Sequence, residues 1–280
     1  MFEFLKPSTT AAPKEQRKSK DERQFTIDDV EEILPPDEHY EFGHTARKVY
    51  HGHIDGWDDQ RDFEQSAEWA KEEHAYDYSI ISPDEVVKRK FVIRDKEENI
   101  IAGAQVDLHD RNGVKMAYLG SKFVLPEYRE QNIANLLVQK RLDVAREAGC
   151  EVATAIVAAN NGPALRTIMK DGFIIEDLPQ NALADRRRVS LAYRMLRNLN
   201  TPKLQAPASE ELLHASIARK EQEITGDQPL LIDHSETMLI LTALTKGYIG
   251  RWVVLPKELG TISQPMVYLV KKEEYLKESN

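Results

Sequence analysis

The sequence predicts an α/β (α+β) fold: a mixed central sheet flanked by helices, followed by a small C-terminal α+β segment. Three observations predict it. Strand-like runs follow one another from residue 89, beginning with "RKFVIRD" and "NIIAGAQVDLH" around the turn "KEEN". Two helical patterns, "IANLLVQKRLDVAREA" and "NNGPALRTIMKDGF", each follow a strand, as crossovers within a sheet do. Between them "CEVATAIVA" is apolar almost throughout, the composition of a strand buried on both faces.

Each element has its own signal. Residues 7–24 lack apolar periodicity and read as a disordered tail. "TIDDVEEIL" opens with Thr26 as a cap and acids in its first turn, so a short helix is expected before Pro35 and Pro36. From 39 to about 78 the pattern is mostly helical, with Phe63, Ala67 and Ala70 at helical spacing. "MAYLGSKFVL" is the third strand after the turn "DRNG". In the helix after it, Ala134, Val138, Leu142 and Ala145 share a face and Gly149 supplies the C-terminal cap. Pro163 at the start and Gly172 past the end frame the second helix. "FIIEDL" and "RRVSLAYRML" close the block as strands. "NLNTPKLQAPASEE" is a linker by composition. Beyond it come a helix ("SEELLHASIARKEQEI"), a buried helix or strand ("TMLILTALTKGY") and strands "GRWVVLP" and "PMVYLVKK". No internal repeat is evident.

The chain of 280 residues, 41% hydrophobic and 30% charged, has an ordinary globular composition. No window approaches a membrane span of ~20 apolar residues, and the N-terminus lacks a secretory pattern. The single cysteine, Cys150, permits no intrachain disulfide and reads as a buried structural residue. A cytoplasmic location fits these features. Net charge is −9, and residues 28–77 alone hold sixteen acids against four bases. An acidic front argues against nucleic-acid binding, which needs basic surface, and mildly favours a cationic partner. His44, His51 and His53 have no cysteine beside them, so no metal site is expected.

The chemistry concentrates in "VLPEYREQNIA", residues 124–134. A strand ends, a loop turns, and a helix begins. A helix N-terminus offers unpaired amides and a positive dipole end, and Arg129 adds a fixed charge suited to phosphate. The glycine such a loop favours is replaced by Asn132, the side chain next best able to adopt a left-handed conformation.

With its neighbours this stretch resembles the GNAT superfamily of acyl-coenzyme A-dependent N-acyltransferases. Val124-Leu125-Pro126, then Arg129-Glu130-Gln131-Asn132-Ile133-Ala134, matches that family's strand end and coenzyme loop. Asn161-Gly162-Pro163-Ala164, followed by Gly172-Phe173, matches its second motif. The resemblance covers roughly residues 89–197, with the variable first part from about 39.

That resemblance implies a site. The pantetheine arm would pair with backbone at Val124 and Leu125, where the fourth and fifth strands splay apart. The pyrophosphate would rest on the loop and first helical turn, Arg129, Glu130, Gln131, Asn132, Ile133, Ala134 and Asn135. Asn161 would reach the pantetheine or hold the second helix. Tyr118 stands where some members carry a glutamate base; Asp107 and His109 are other base candidates. An unshifted phenol is a poor base near neutrality, and Tyr118 could instead pack against the helix at 133–148. Ile168 replaces the tyrosine that in many members protonates the leaving thiolate. "Asp185-Arg186-Arg187-Arg188" lies in the loop before the last strand, either near the acceptor or as a solvated charge run.

The expected function is acetyl transfer from acetyl-CoA to a primary amine of a small molecule or protein, without a metal. The alternative is a degenerate, non-catalytic domain that senses the coenzyme or binds protein. The expected organisation is a tail (1–25), an acyltransferase domain (26–198), a linker (199–208) and a C-terminal extension (209–280). The apolar run "MLILTAL" in that extension needs burial against the sheet or a second subunit, so a homodimer through this segment is one expectation.

Overall fold

The computed structural model describes residues 24–33, 41–43, 45–46, 49, 86–111, 113–159, 161–177, 183–185, 188–190, 192–203 and 205–278. The expected tail at 7–23, most of the helical region at 39–78, the three histidines at 44–53 and the arginines at 186–187 lie outside the described residues.

Among the described residues eleven strands form one sheet. Its N-terminal strands are β1 (Glu31–Ile33), β2 (Val87–Arg94), β3 (Ile100–Arg111), β4 (Val114–Val124), β5 (Val152–Ala158) and β6 (Ile174–Asp177). β7 (Leu183–Asp185) and β8 (Arg188–Ser190) form a separate hairpin, and β9 (Ala192–Asn198) returns to the sheet. The C-terminal strands are β10 (Ser216–Ile217), β11 (Leu230–Asp233), β12 (Tyr248–Val254) and β13 (Met266–Lys271). The spatial order is β1-β2-β3-β4-β5-β9-β6-β12-β13-β11-β10. The segments on either side of residues 199–208 therefore share one sheet.

Helix α1 (Ile133–Glu147) packs on β3 and β4. Strand alternation explains its seat: Ala104, Val106, Ala117 and Leu119 line one face and meet Leu137, Val138 and Leu142 in the core. Helix α2 (Gly162–Lys170) buries Leu165, Ile168 and Met169 in the same core. Further helices among the described residues are α3 (Ser209–His214), α4 (Thr237–Thr245), α5 (Pro256–Leu259) and α6 (Lys272–Glu278).

Two expected helices are shorter than the sequence suggests. "TIDDVEEIL" makes only a 3-10 turn, Ile27–Asp29, where the Thr26 amide donates to Asp29 (2.7 Å). Residues 31–33 then pair with β2 at Glu31↔Val92 and Ile33↔Lys90, because an extended run at a sheet edge satisfies the backbone and buries Ile33. "SEELLHASIARKEQEI" stops at His214. Ala215 is extended (ψ 138°), and Ser216 and Ile217 pair with β11.

The sheet also contains a repeat. β5-α2-β6-β9 recurs as β11-α4-β12-β13, with residues 155–177 corresponding to 230–252. Ala155 pairs with Met195 as Leu230 pairs with Leu269, and Ile175 with Met195 as Gly250 with Leu269. Each unit even carries its bulge at the same place, between Ile175 and Asp177 and between Gly250 and Trp252. Both helices have nine residues, and both are followed by a left-handed glycine, Gly172 (φ 88°) and Gly247 (φ 83°). The two units join where Ile175 pairs with Gly250, a residue opposite its own counterpart, as across a local two-fold axis. Only glycine fits there: a Cβ at 250 would lie 2.9 Å from the Ile175 side chain. Of the 23 aligned positions three are identical, Thr167 and Thr242, Gly172 and Gly247, Ile174 and Ile249, too few for sequence inspection to reveal the repeat.

The run "MLILTAL" lies in α4, with Leu239, Ile240 and Ala243 buried against the chain's own sheet and Met238 63% exposed.

Candidate functional site

β4 and β5 are parallel neighbours for only three ladder positions, from Met116↔Val152 to Tyr118↔Thr154. β4 continues to Val124 and β5 to Ala158, so beyond Tyr118 the two strands diverge. A bulge in β4 accompanies the divergence. Gly103 opposes Phe123 and Gln105 opposes Gly120, which leaves one extra residue on β4, and Ser121 takes a positive φ of 35°.

The loop that closes the wedge is built from backbone. The Leu125 amide is held by the Ile101 carbonyl (2.9 Å), and Pro126–Tyr128 form a 3-10 turn. Glu130 (φ 66°) and Asn132 (φ 63°, ψ 2°) are both left-handed, and α1 starts at the next residue. Asn132 thus holds the conformation that a glycine would have given. Its side-chain oxygen accepts from the side-chain Nδ2 of Asn135, which pins it. Among the described residues the backbone amides of 130–134 have no hydrogen-bond partner. Successive free amides at a helix N-terminus make a nest for an anion. The buried Nε2 of Gln131 is an orphan donor in the same loop. Arg129 is exposed, with Nε on the Val124 carbonyl (3.3 Å). This donor set fits a phosphate-bearing coenzyme.

Tyr118 does not pack against α1; Ala117 and Leu119 do, and Tyr118 points to the opposite face. Its ring leans along β4 toward the bulge, so that a Cβ at Gly120 would lie 3.3 Å from the Tyr118 Cε1. The same face carries Asp107, fully buried opposite Tyr118, whose Oδ1 accepts from Gln105 Nε2 (2.6 Å). His109 follows two residues on. Tyr118, Asp107 and His109 therefore share one face of neighbouring strands: Tyr118 and Asp107 at the apex of the wedge, His109, opposite Met116, beside the paired part behind it.

The second motif flanks its other side. Asn161 caps α2, its Oδ1 accepting from the Ala164 amide (3.2 Å), so of its two expected roles the helix-holding one is visible. Ile168 is buried in the core (4% exposed) and offers no proton. Cys150 is buried, and burial pushes its thiol pKa up, against a nucleophilic role.

Two cations near the wedge escaped the sequence reading. Arg141 on α1 is fully buried, and Nη1 donates to the carbonyls of Gln105 (3.2 Å) and Gly120 (3.0 Å), clasping the bulge. Lys122 lies in the diverging part of β4 and is partly buried; burial, with Arg141 nearby, drives its amine pKa down to about 7. The only sequence signal was a lysine inside an apolar strand run.

Residues 49–173 match the sequence model of the Acetyltransferase (GNAT) family. They form a GNAT acetyltransferase domain. The mixed sheet, the β4–β5 wedge and the loop before α1 all belong to it or adjoin it. Among solved structures, the chain is similar to nourseothricin acetyltransferase (22% identity, TM-score 0.35), over 40% of this chain and 65% of that one. It is also similar to the spermidine N-acetyltransferase from Vibrio cholerae in complex with CoA and spermine (14% identity, TM-score 0.42), over 61% of this chain and 94% of that one. A third is an acyl-CoA N-acyltransferase from Klebsiella pneumoniae (15% identity, TM-score 0.39), over 61% and 96%. No curated protein matches the chain. Among the described residues no helix is long and apolar enough to cross a membrane.

Proposed function

We propose that this protein is an N-acetyltransferase that moves an acetyl group from acetyl-CoA to a primary amine in the cytoplasm. The observation that carries the reading is the β4–β5 wedge closed by the free amides of 130–134. Arg129 and those amides hold the pyrophosphate. The β4 edge that β5 leaves beyond Tyr118, running to Val124 and Leu125, lies along the pantetheine, and Asn161 closes the far side. The coenzyme supplies an activated thioester. The acceptor nitrogen bonds to the thioester carbonyl carbon, the carbon–sulfur bond breaks, one proton leaves the nitrogen and one reaches the sulfur. Tyr118, Asp107 and His109 are the groups on the acceptor face, and Lys122, whose amine loses its proton near pH 7, is the group within the wedge. The acid-rich segment 28–77 favours a cationic acceptor, so polyamines head the panel of amines. A homodimer through the C-terminal segment is part of this reading and is checked by solution mass.

Calorimetry tests the reading. Wild type is expected to bind acetyl-CoA in the micromolar range. Arg129→Ala removes charge-assisted bonds worth ~1.5–3 kcal/mol, a weakening of about ten- to a hundredfold. Absence of binding to wild type overturns the proposal. The buried Ile168 favours one second reading, a domain that binds coenzyme without turnover. Thiol release with one defined amine excludes it.

A further inference from the structure

The C-terminal unit grips α2, the helix whose N-terminal end, at Asn161, borders the wedge. Arg166 on α2 reaches across to Glu258 on α5 with both ends of its guanidinium: Nη1 donates to Oε2 (2.9 Å) and Nη2 to Oε1. Nη1 also donates to the Val253 carbonyl at the end of β12, and the guanidinium lies 5.8 Å from the Trp252 ring centre. Glu258 is itself fixed, accepting from the Leu255 amide (2.8 Å) at the start of α5. A second contact sits at the helix tip, where a Cβ at Gly162 would lie 3.4 Å from Cδ2 of His234, the residue that follows β11. The repeat makes the grip informative. The counterpart of Arg166 in the second unit is Leu241, so the clamp is not a product of the two-fold arrangement; it acts on the first unit alone. A planar, two-point Arg–carboxylate pair restricts orientation as well as distance.

We propose that Arg166 and Glu258 are positioning residues for the coenzyme cleft. Through them the C-terminal unit holds α2, and the Asn161 end of it, at the working distance from β5 and from the loop before α1. The C-terminal unit is thus a part of the acetyltransferase site. This inference rests on the coenzyme-binding reading above.

The test uses the full chain and three variants, with acetyl-CoA affinity by calorimetry and melting temperature measured in parallel. Glu258→Gln leaves Arg166 without its charge partner and is expected to raise the Kd for acetyl-CoA about tenfold. Arg166→Lys keeps the charge but not the two-point geometry and is expected to fall between wild type and Glu258→Gln. Val270→Ala loosens the opposite face of the C-terminal unit, where Val270 is buried away from α2. It is expected to lower the melting temperature and leave the Kd unchanged. With an acceptor in hand, Glu258→Gln is expected to raise KM for acetyl-CoA with kcat nearly constant. The inference is overturned if Glu258→Gln binds acetyl-CoA like wild type, or if Val270→Ala weakens binding as much. If wild type itself does not bind, the coenzyme reading fails first and the inference with it.

Discussion

Replacing Lys122 with Met is expected to stabilise the protein at acid and neutral pH, and to stop doing so in base. The amine titrates at about 7 in the folded chain, against an ordinary value of 10.5. Each tenfold change in a protonation equilibrium corresponds to ~1.4 kcal/mol, so the whole displacement represents a penalty of at most about 5 kcal/mol. Lys122 keeps some exposure, and water and relaxation reduce that figure, so a gain of roughly 2 kcal/mol is expected from an apolar side chain of similar length. The sign follows from proton counting. Between pH 7 and 10.5 the unfolded chain binds the proton that the folded chain has released, so wild-type stability rises with pH across that window. Below it both states are charged and the penalty is complete; above it neither is. Urea unfolding of wild type and Lys122→Met at pH 6 and pH 10 measures this directly. A gain at pH 6 that largely disappears by pH 10 is expected. A loss of stability at pH 6, or a gain independent of pH, refutes the buried-cation argument.

Two further substitutions have defined outcomes. Asn132→Gly is expected to be near neutral for folding and for acetyl-CoA affinity, because the position is already left-handed, whereas Asn132→Val costs ~1–2 kcal/mol and weakens coenzyme binding; calorimetry and thermal melts separate the two. Tyr193→Phe removes a buried hydroxyl that has no hydrogen-bond partner among the described residues, and whose burial pushes its pKa up. A gain of about 1 kcal/mol in urea unfolding is expected, and a loss points to a hidden partner.

The parts of the site that follow local rules were legible in the sequence. The residue pattern pointed to the loop before α1, because a strand end, a helix start and a left-handed position each impose residue types over a few positions; Asn161 was singled out through the family resemblance. Asn132 was readable as a glycine substitute for the same reason. What escaped depends on contacts distant in sequence. Lys122 is partly buried because the bulge at Ser121 resets which side chains of β4 face inward. Glu31–Ile33 and Ser216–Ile217 were taken up by strands far along the chain, against their helical patterns. The repeat survives as a pattern of registers and bulges, while its side chains have diverged. The traces left in the sequence were the Gly-aromatic pairs Gly172-Phe173 and Gly247-Tyr248, each closing a helix of equal length.

Hydrogen exchange on the full chain, with and without saturating acetyl-CoA, tests the central claim most directly. The account predicts slowed exchange at the amides of 130–134 and along the diverging part of β4, residues 119–124, with little change in β12 and β13. Binding without protection in those two stretches, or no protection anywhere, would contradict it.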